Sequence, residues 1–196
     1  MLSEITKRYL ESHRHYHTLE HITRMFMDAR RFNVDLTEEQ VWAIWLHDLV
    51  YEPGADDNEE RSAEEGLKLL GRYGIYSGPG ATRDLGAIER IILDTKDHVA
   101  RHEQSATVID LDLLGFADSW NSYLNAASRI RAEFGVRNPY DPNWLKGRIE
   151  FLKGMMNRDP FFLTESFSHL EIKAKANISH ELEVLGDLLQ RNEGSE

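Results

Sequence analysis

Trp45-Leu46-His47-Asp48-Leu49-Val50-Tyr51 sets an imidazole and a carboxylate side by side inside an apolar run. Apolar neighbours on both sides predict that the pair is drawn out of water, and burying charge is costly unless something compensates it. A divalent cation is one such compensator, and His with Asp is an apt pair of ligands for it. Two ligands do not complete a catalytic centre, so the rest of the chain has to supply more. Upstream stands Tyr16-His17-Thr18-Leu19-Glu20-His21-Ile22, and downstream Val108-Ile109-Asp110-Leu111-Asp112-Leu113-Leu114-Gly115. The order along the chain is therefore His, then His-Asp, then a distant Asp.

Outward from this stretch the periodicity is helical. Thr37, with Gln40 three residues on, is a capping box opening a helix that runs through Val41, Ile44 and Trp45 to His47-Asp48. Leu19, Ile22, Phe26 and Ala29 keep helical spacing before it, placing His21 in an early turn. Leu2 to Leu10 reads as a short opening helix, and Asn33-Val34-Asp35 as a turn. Glu52-Pro53-Gly54-Ala55 is a stop signal. Asp56-Asp57-Asn58-Glu59-Glu60 then suits the acidic start of another helix, through Ala63, Leu67 and Leu70 to Tyr73-Gly74, or a role beside a metal. Gly78-Pro79-Gly80 marks a loop. Leu85, Ile88, Ile91 and Ile92 form an amphipathic helix ending in Asp94-Thr95-Lys96-Asp97-His98. Beyond Asp112, helical spacing continues over Trp120–Phe134, Trp144–Met156 and Thr164–Gln190, with turns at Asn138-Pro139-Tyr140-Asp141-Pro142 and Asp159-Pro160. No strand alternation appears. The expected fold is all-α, a bundle of about nine helices on ordinary helix lengths.

The 196 residues suggest a single domain spanning 1–196, and 41% hydrophobic residues suffice for a core. Cysteine is absent, so any metal is held by His, Asp and Glu. Met1 to Lys7 lack the apolar core of a signal peptide and no run approaches a membrane span, so a cytoplasmic protein without membrane contact is expected. The formal net charge of −11 disfavours long nucleic acid as a partner. A small phosphate ester in a metal-lined cleft is still admissible, because the local cation dominates there.

In His21, His47-Asp48 and Asp112 the chain resembles the HD superfamily of metal-dependent phosphohydrolases, whose ligands run H…HD…D. More narrowly it is similar to small bacterial predicted HD phosphohydrolases with the pattern YHxxxHI, HDxVY, DNExxSA and DxDLxxLG. Here these read Tyr16-His17…His21-Ile22, His47-Asp48-Leu49-Val50-Tyr51, Asp57-Asn58-Glu59…Ser62-Ala63 and Asp110-Leu111-Asp112-Leu113-Leu114-Gly115. The resemblance covers residues 14–116, with the helices of 117–192 packing on that core. It implies an HD-type bundle and a metal set of His21, His47, Asp48 and Asp112, with Asp110 as the fallback for the last ligand. Such a set suits one divalent transition metal, Mn, Fe, Co, Ni or Zn, and Mg less well, and leaves room for a second.

The same resemblance implies a metal-dependent phosphohydrolase acting on a small phosphorylated metabolite or nucleotide, with Asp48 orienting the attacking water or taking its proton. Class I cyclic nucleotide phosphodiesterases carry a similar YHNxxHA patch whose first His protonates the leaving oxygen. That assigns the same role to His17, although Thr18 stands in place of Asn. Those enzymes have a further His after HD where this chain has Tyr51 or Glu52, which implies one tightly held metal. Asp94, His98 and His102 would share a face on a continuous helix. Lys96 and His98 read as phosphate contacts or second-metal ligands, against the plainer reading of a polar helix end. His13, His15, His169 and His180 read as structural or surface residues. Two other classes stay open. One is a di-iron oxygenase on the same scaffold, drawing on Glu52, Asn58, Glu59, His98 and His102. The other is a non-catalytic nucleotide-sensing module.

Overall fold

In a computed structural model, residues 1–75 and 84–193 are described. All their regular structure is helical, with ten α-helices, one 3-10 turn and no strand. Gly78-Pro79-Gly80 lies outside the described residues. The chain divides into two compact units, an N-terminal one of Met1–Asp112 and a C-terminal one of Leu113–Glu196.

In the N-terminal unit α1 is Leu2–Tyr9, α2 Leu19–Arg31, α3 Glu38–Leu46, α4 Asn58–Arg72 and α5 Leu85–Thr95, while α6 is Ser105–Leu113. The apolar positions read from the sequence go inside. Ile5 and Tyr9 of α1, Ile22, Met25 and Ala29 of α2, Ala43, Ile44 and Leu46 of α3, and Ile88, Ile91 and Ile92 of α5 are buried. α3 packs against α2, α4 and α5, so it is the central helix of this unit. Gly66 lets α4 come close: a Cβ there would meet Leu46 Cδ1 at 3.0 Å. The capping box at Thr37 and Gln40 is present in both directions, at 3.2 and 2.9 Å.

The structure differs from the sequence reading at helix ends. α3 stops at Leu46, and His47 is its C-cap. The stop signal at Gly54, whose φ is +86°, therefore follows an open segment rather than a helix. α5 ends at Thr95, so Asp94, His98 and His102 do not lie on one continuous helix. Asp94 is the physical reason. Its Oδ2 accepts from the Arg101 and His102 amides at 2.8 and 2.9 Å and from Ser105 Oγ at 2.6 Å. This buried carboxylate satisfies amides of the loop before α6 and the hydroxyl of its first residue, Ser105, which turns the chain away from α5.

The C-terminal unit holds the 3-10 turn Leu114–Ala117, α7 (Trp120–Glu133), α8 (Pro142–Met156), the short α9 (Glu165–Ser168) and α10 (Glu171–Glu193). The single helix expected over Thr164–Gln190 is thus two. α10 packs on α8 and on the 3-10 turn, burying Leu145, Leu152, Ala174 and Ile178. Asn177 Nδ2 donates to the carbonyls of Phe116 and Asp118 at 2.8 and 2.9 Å, fixing that turn. Phe161, Phe162 and Phe167 fill the end of this core.

Candidate metal centre

His47 sits where α3 runs out of partners for its last carbonyls. Its amide donates to Ala43 O at 2.8 Å and its ring Nδ1 to Ile44 O at 3.0 Å. With Nδ1 committed to the helix end, Nε2 is the ring atom left facing inward, a relation that orients metal-binding histidines. Asp48 follows in the turn. His21 comes from the first turn of α2, after the cap residue Thr18. Asp112 comes from the last turn of α6.

The side chains of these four residues converge. His21 Nε2 lies 3.0 Å from Asp112 Oδ1 and 3.9 Å from Asp48 Oδ2. His47 Nε2 lies 3.0 Å from Asp48 Oδ2 and 3.8 Å from Asp112 Oδ1. Despite the short distances, His21 Nε2, His47 Nε2 and Asp48 Oδ2 are buried without an aligned hydrogen-bond partner. One ligand atom from each of His21, His47 and Asp48 fits within a sphere of 4.8 Å mutual separation. Ligand atoms each about 2.1 Å from one ion are about 3.0 Å apart at a right angle and about 4.2 Å apart across it. All four nitrogen–oxygen separations fall inside that interval, and the donor set of imidazole and carboxylate suits a divalent transition metal.

The electrostatics follow from crowding. Burial lowers the basicity of His47, but the charges of Asp48 and Asp112 outweigh it and raise the imidazole to about 9. Burial raises Asp48, while the charges of His47, His17 and His21 hold it well below the usual carboxylate range. Asp112 is likewise held low, against burial, by the His21 and His98 side chains and the His47 charge. The carboxylates thus stay ionised, balanced by the imidazoles around them. Asp110 is fully buried on the same helix. The close oxygens are those of Asp112.

Around this core stand the other residues singled out in the sequence. His17 precedes α2 rather than lying in it, yet its ring centroid is 6.0 Å from that of His21 and 4.1 Å from that of Tyr51. His98 adopts a left-handed φ of 56°, uncommon outside glycine, and carries Nε2 to 3.6 Å from Asp112 Oδ2. Lys96 pairs with Glu60 at 2.5 Å at the start of α4. Burial, then the charge of Asp48, push the Glu59 carboxyl up. His102 contributes its amide to Asp94 instead of its ring to the cluster. His13 Nε2 lies 2.9 Å from Tyr51 O, and His180 stacks on Trp120 at 4.1 Å. Glu52 Oε2 pairs with Arg61 at 3.2 Å.

Two roles were not legible beforehand. Asn58 and Ser62, from the DNExxSA patch, hold the backbone that follows His47-Asp48. Asn58 Oδ1 accepts from the Glu52 amide at 2.9 Å and Nδ2 donates to Glu52 O at 3.0 Å. Ser62 Oγ does the same for Val50, at 3.0 and 3.1 Å. Arg14 also reaches this segment, with its side chain fully buried. Its position just before the Tyr16-His17 patch was the only available signal. Comparison of the chain with family models, curated proteins and solved structures gives no match.

Proposed function

We propose that the protein is a metal-dependent phosphohydrolase that cleaves a small phosphate ester, a nucleotide among the candidates. The observation that carries this reading is the group of buried, unpartnered atoms, with His21 Nε2 and His47 Nε2 lying 3.9 and 3.0 Å from Asp48 Oδ2. The order His21, His47-Asp48, Asp112 and the resemblance it carries supply the reaction class. A cation held there supplies a Lewis acid and makes water nucleophilic near neutral pH.

The chain's own residues divide the remaining work. His21, His47, Asp48 and Asp112 hold the ion, and Asp48 orients the attacking water. Lys96 and His98 bind phosphoryl oxygens and offset charge that grows during transfer. For Lys96 this means that phosphate competes with Glu60 for the ammonium. His17 gives a proton to the leaving oxygen. The strongly acidic chain admits a small anion only where the cation compensates it, so long nucleic acid is not the substrate. Among the described residues no helix is long and apolar enough to cross a membrane.

The test is a screen of phosphate monoesters and nucleotides with Mn, Fe, Co, Ni or Zn added in turn, repeated with His17→Ala. An alkoxide leaves poorly without a proton, whereas p-nitrophenolate leaves well. Turnover of an alkyl phosphate should fall by about 10²–10⁴-fold in the variant, and that of p-nitrophenyl phosphate much less. Equal loss on both would remove His17 as the acid. No hydrolysis with any metal would sink the reading, and metal-dependent oxygen uptake would replace it with an oxygenase.

A further inference from the structure

Residues 47–52 connect α3 to the approach of α4 without a helix or strand of their own. Backbone polar groups withdrawn from water still need partners. Here side chains provide them: Asn58 and Ser62 serve Glu52 and Val50, just as Tyr9 Oη donates to Trp45 O in the last turn of α3 at 3.0 Å. Arg14 differs from these in reach. From the connection between α1 and α2, its Nη1 donates to Asp48 O at 2.7 Å and to His17 O at 3.2 Å. Nη2 donates to Leu49 O at 3.1 Å, and Nε to Glu11 Oε2 at 3.2 Å. The rings of Tyr9 and Tyr51 lie 5.2 and 5.7 Å from the guanidinium carbon.

A buried arginine ordinarily spends its fork on a carboxylate, as Arg148 does on Glu181. Arg14 gives its one carboxylate only Nε, and spends both terminal nitrogens on three carbonyls. Those carbonyls belong to the proposed proton donor, to a proposed metal ligand and to the residue after it. The guanidinium is planar and rigid, so it fixes the carbonyls relative to one another as well as to itself.

We infer that Arg14 is the positioning residue of the metal centre: it locks the backbone of His17 to that of Asp48-Leu49 and so sets the distance between proton donor and ligand pair. Arg14 touches neither the ion nor the phosphate and acts through main-chain carbonyls. The inference rests on the metal reading above. It separates the two basic residues a point charge would treat alike, because lysine keeps the charge and loses the fork.

The experiment titrates the metal-free full chain with Co²⁺, by calorimetry and by visible absorption, in wild type, Arg14→Met and Arg14→Lys. Circular dichroism at the titration temperature establishes that each is folded. Arg14→Met should bind Co²⁺ roughly 10–100-fold more weakly, and Arg14→Lys should lose less. At saturation the absorption bands of both should shift, since the ligand geometry changes. A role confined to stability would lower the unfolding temperature and leave affinity and bands alone, and that result overturns the inference. If Arg14→Met does not fold, Arg14→Lys decides by the same two readings. If neither folds, Arg14 serves folding and the inference falls. Wild type that takes up no Co²⁺ removes the metal reading itself, and Arg14's role with it.

Discussion

Arg148, Glu181 and Tyr123 in the C-terminal unit, and His21, His47, Asp48 and the part-buried Asp112 in the N-terminal unit, are both groups of ionisable side chains drawn largely out of water. In the first, Arg148 Nε and Nη2 donate to Glu181 Oε1 and Oε2, each at 2.9 Å, and the Tyr123 hydroxyl donates to the same carboxylate. Burial and the Glu181 charge hold the Tyr123 phenol well above its usual range, so its proton stays in place. Charge and hydrogen bonds are closed within the triad. In the second, equally short distances come without alignment, and three polar atoms point at one another unsatisfied. A closed cluster supports the fold, whereas an open one has donor atoms to offer a ligand. Burial and ionisability alone do not tell the two apart; the direction of the atoms does.

The widest separation between them should come from removing one acid in each. Glu181→Leu strands the Arg148 guanidinium, and breaking a buried pair in that way costs about 3–5 kcal/mol. Denaturant unfolding followed through Trp120 and Trp144 measures it, with metal uptake expected to stay unchanged. Asp48→Ala should do the reverse. It abolishes metal uptake, and what the metal-free protein loses is the His47–Asp48 attraction, which disappears as pH climbs through 9. Saturating metal at a hundredfold excess over Kd should stabilise wild type by about 2.7 kcal/mol and Asp48→Ala not at all. Equal stability losses in the two variants would erase the contrast.

A smaller effect sharpens it by pH. His47 is raised from an ordinary 6.5 to about 9 by Asp48 and Asp112 against its burial. A raised folded value means that its stabilising contribution is complete below pH 6.5 and disappears as pH climbs through 9. Metal-free protein should therefore lose about 1–3 kcal/mol across that window. Metal affinity should rise over the same window, because the proton on the ring and the ion compete. Chelator-treated unfolding curves that are flat from pH 6.5 to 9 would contradict this.

The smallest effect belongs to Lys96. Its pair with Glu60 is substantially exposed, and such pairs contribute about 0–1 kcal/mol. Lys96→Ala should leave stability and bound metal nearly as they were and still weaken phosphate-ester turnover. Unchanged kinetics would return Lys96 to a surface role.

What the sequence made legible was whatever local chemistry decides. The capping box at Thr37-Gln40 and the apolar stripes of α2, α3 and α5 follow from spacing within one helix, and the structure has them. The convergence of His21, His47, Asp48 and Asp112 was expected from their order and types, and the structure brings their side chains together. The end of α5 was not legible, because it depends on Asp94 finding amides at Arg101 and His102 across a loop. Neither was the part played by the DNExxSA patch, where Asn58 and Ser62 hold the backbone that follows His47-Asp48. Arg14 escaped notice because its partners are carbonyls, which every residue has, so no pattern of side chains announces them.

Asn58 and Ser62 stand in for a neighbouring strand, each offering one acceptor and one donor to a single residue of the 47–52 segment. The Val50 and Glu52 amides are therefore sheltered by oxygen atoms anchored in α4 rather than by a helix of their own. Hydrogen exchange would see them as part of α4: their deuterium uptake follows the opening of that helix, although by shape they belong to a loop.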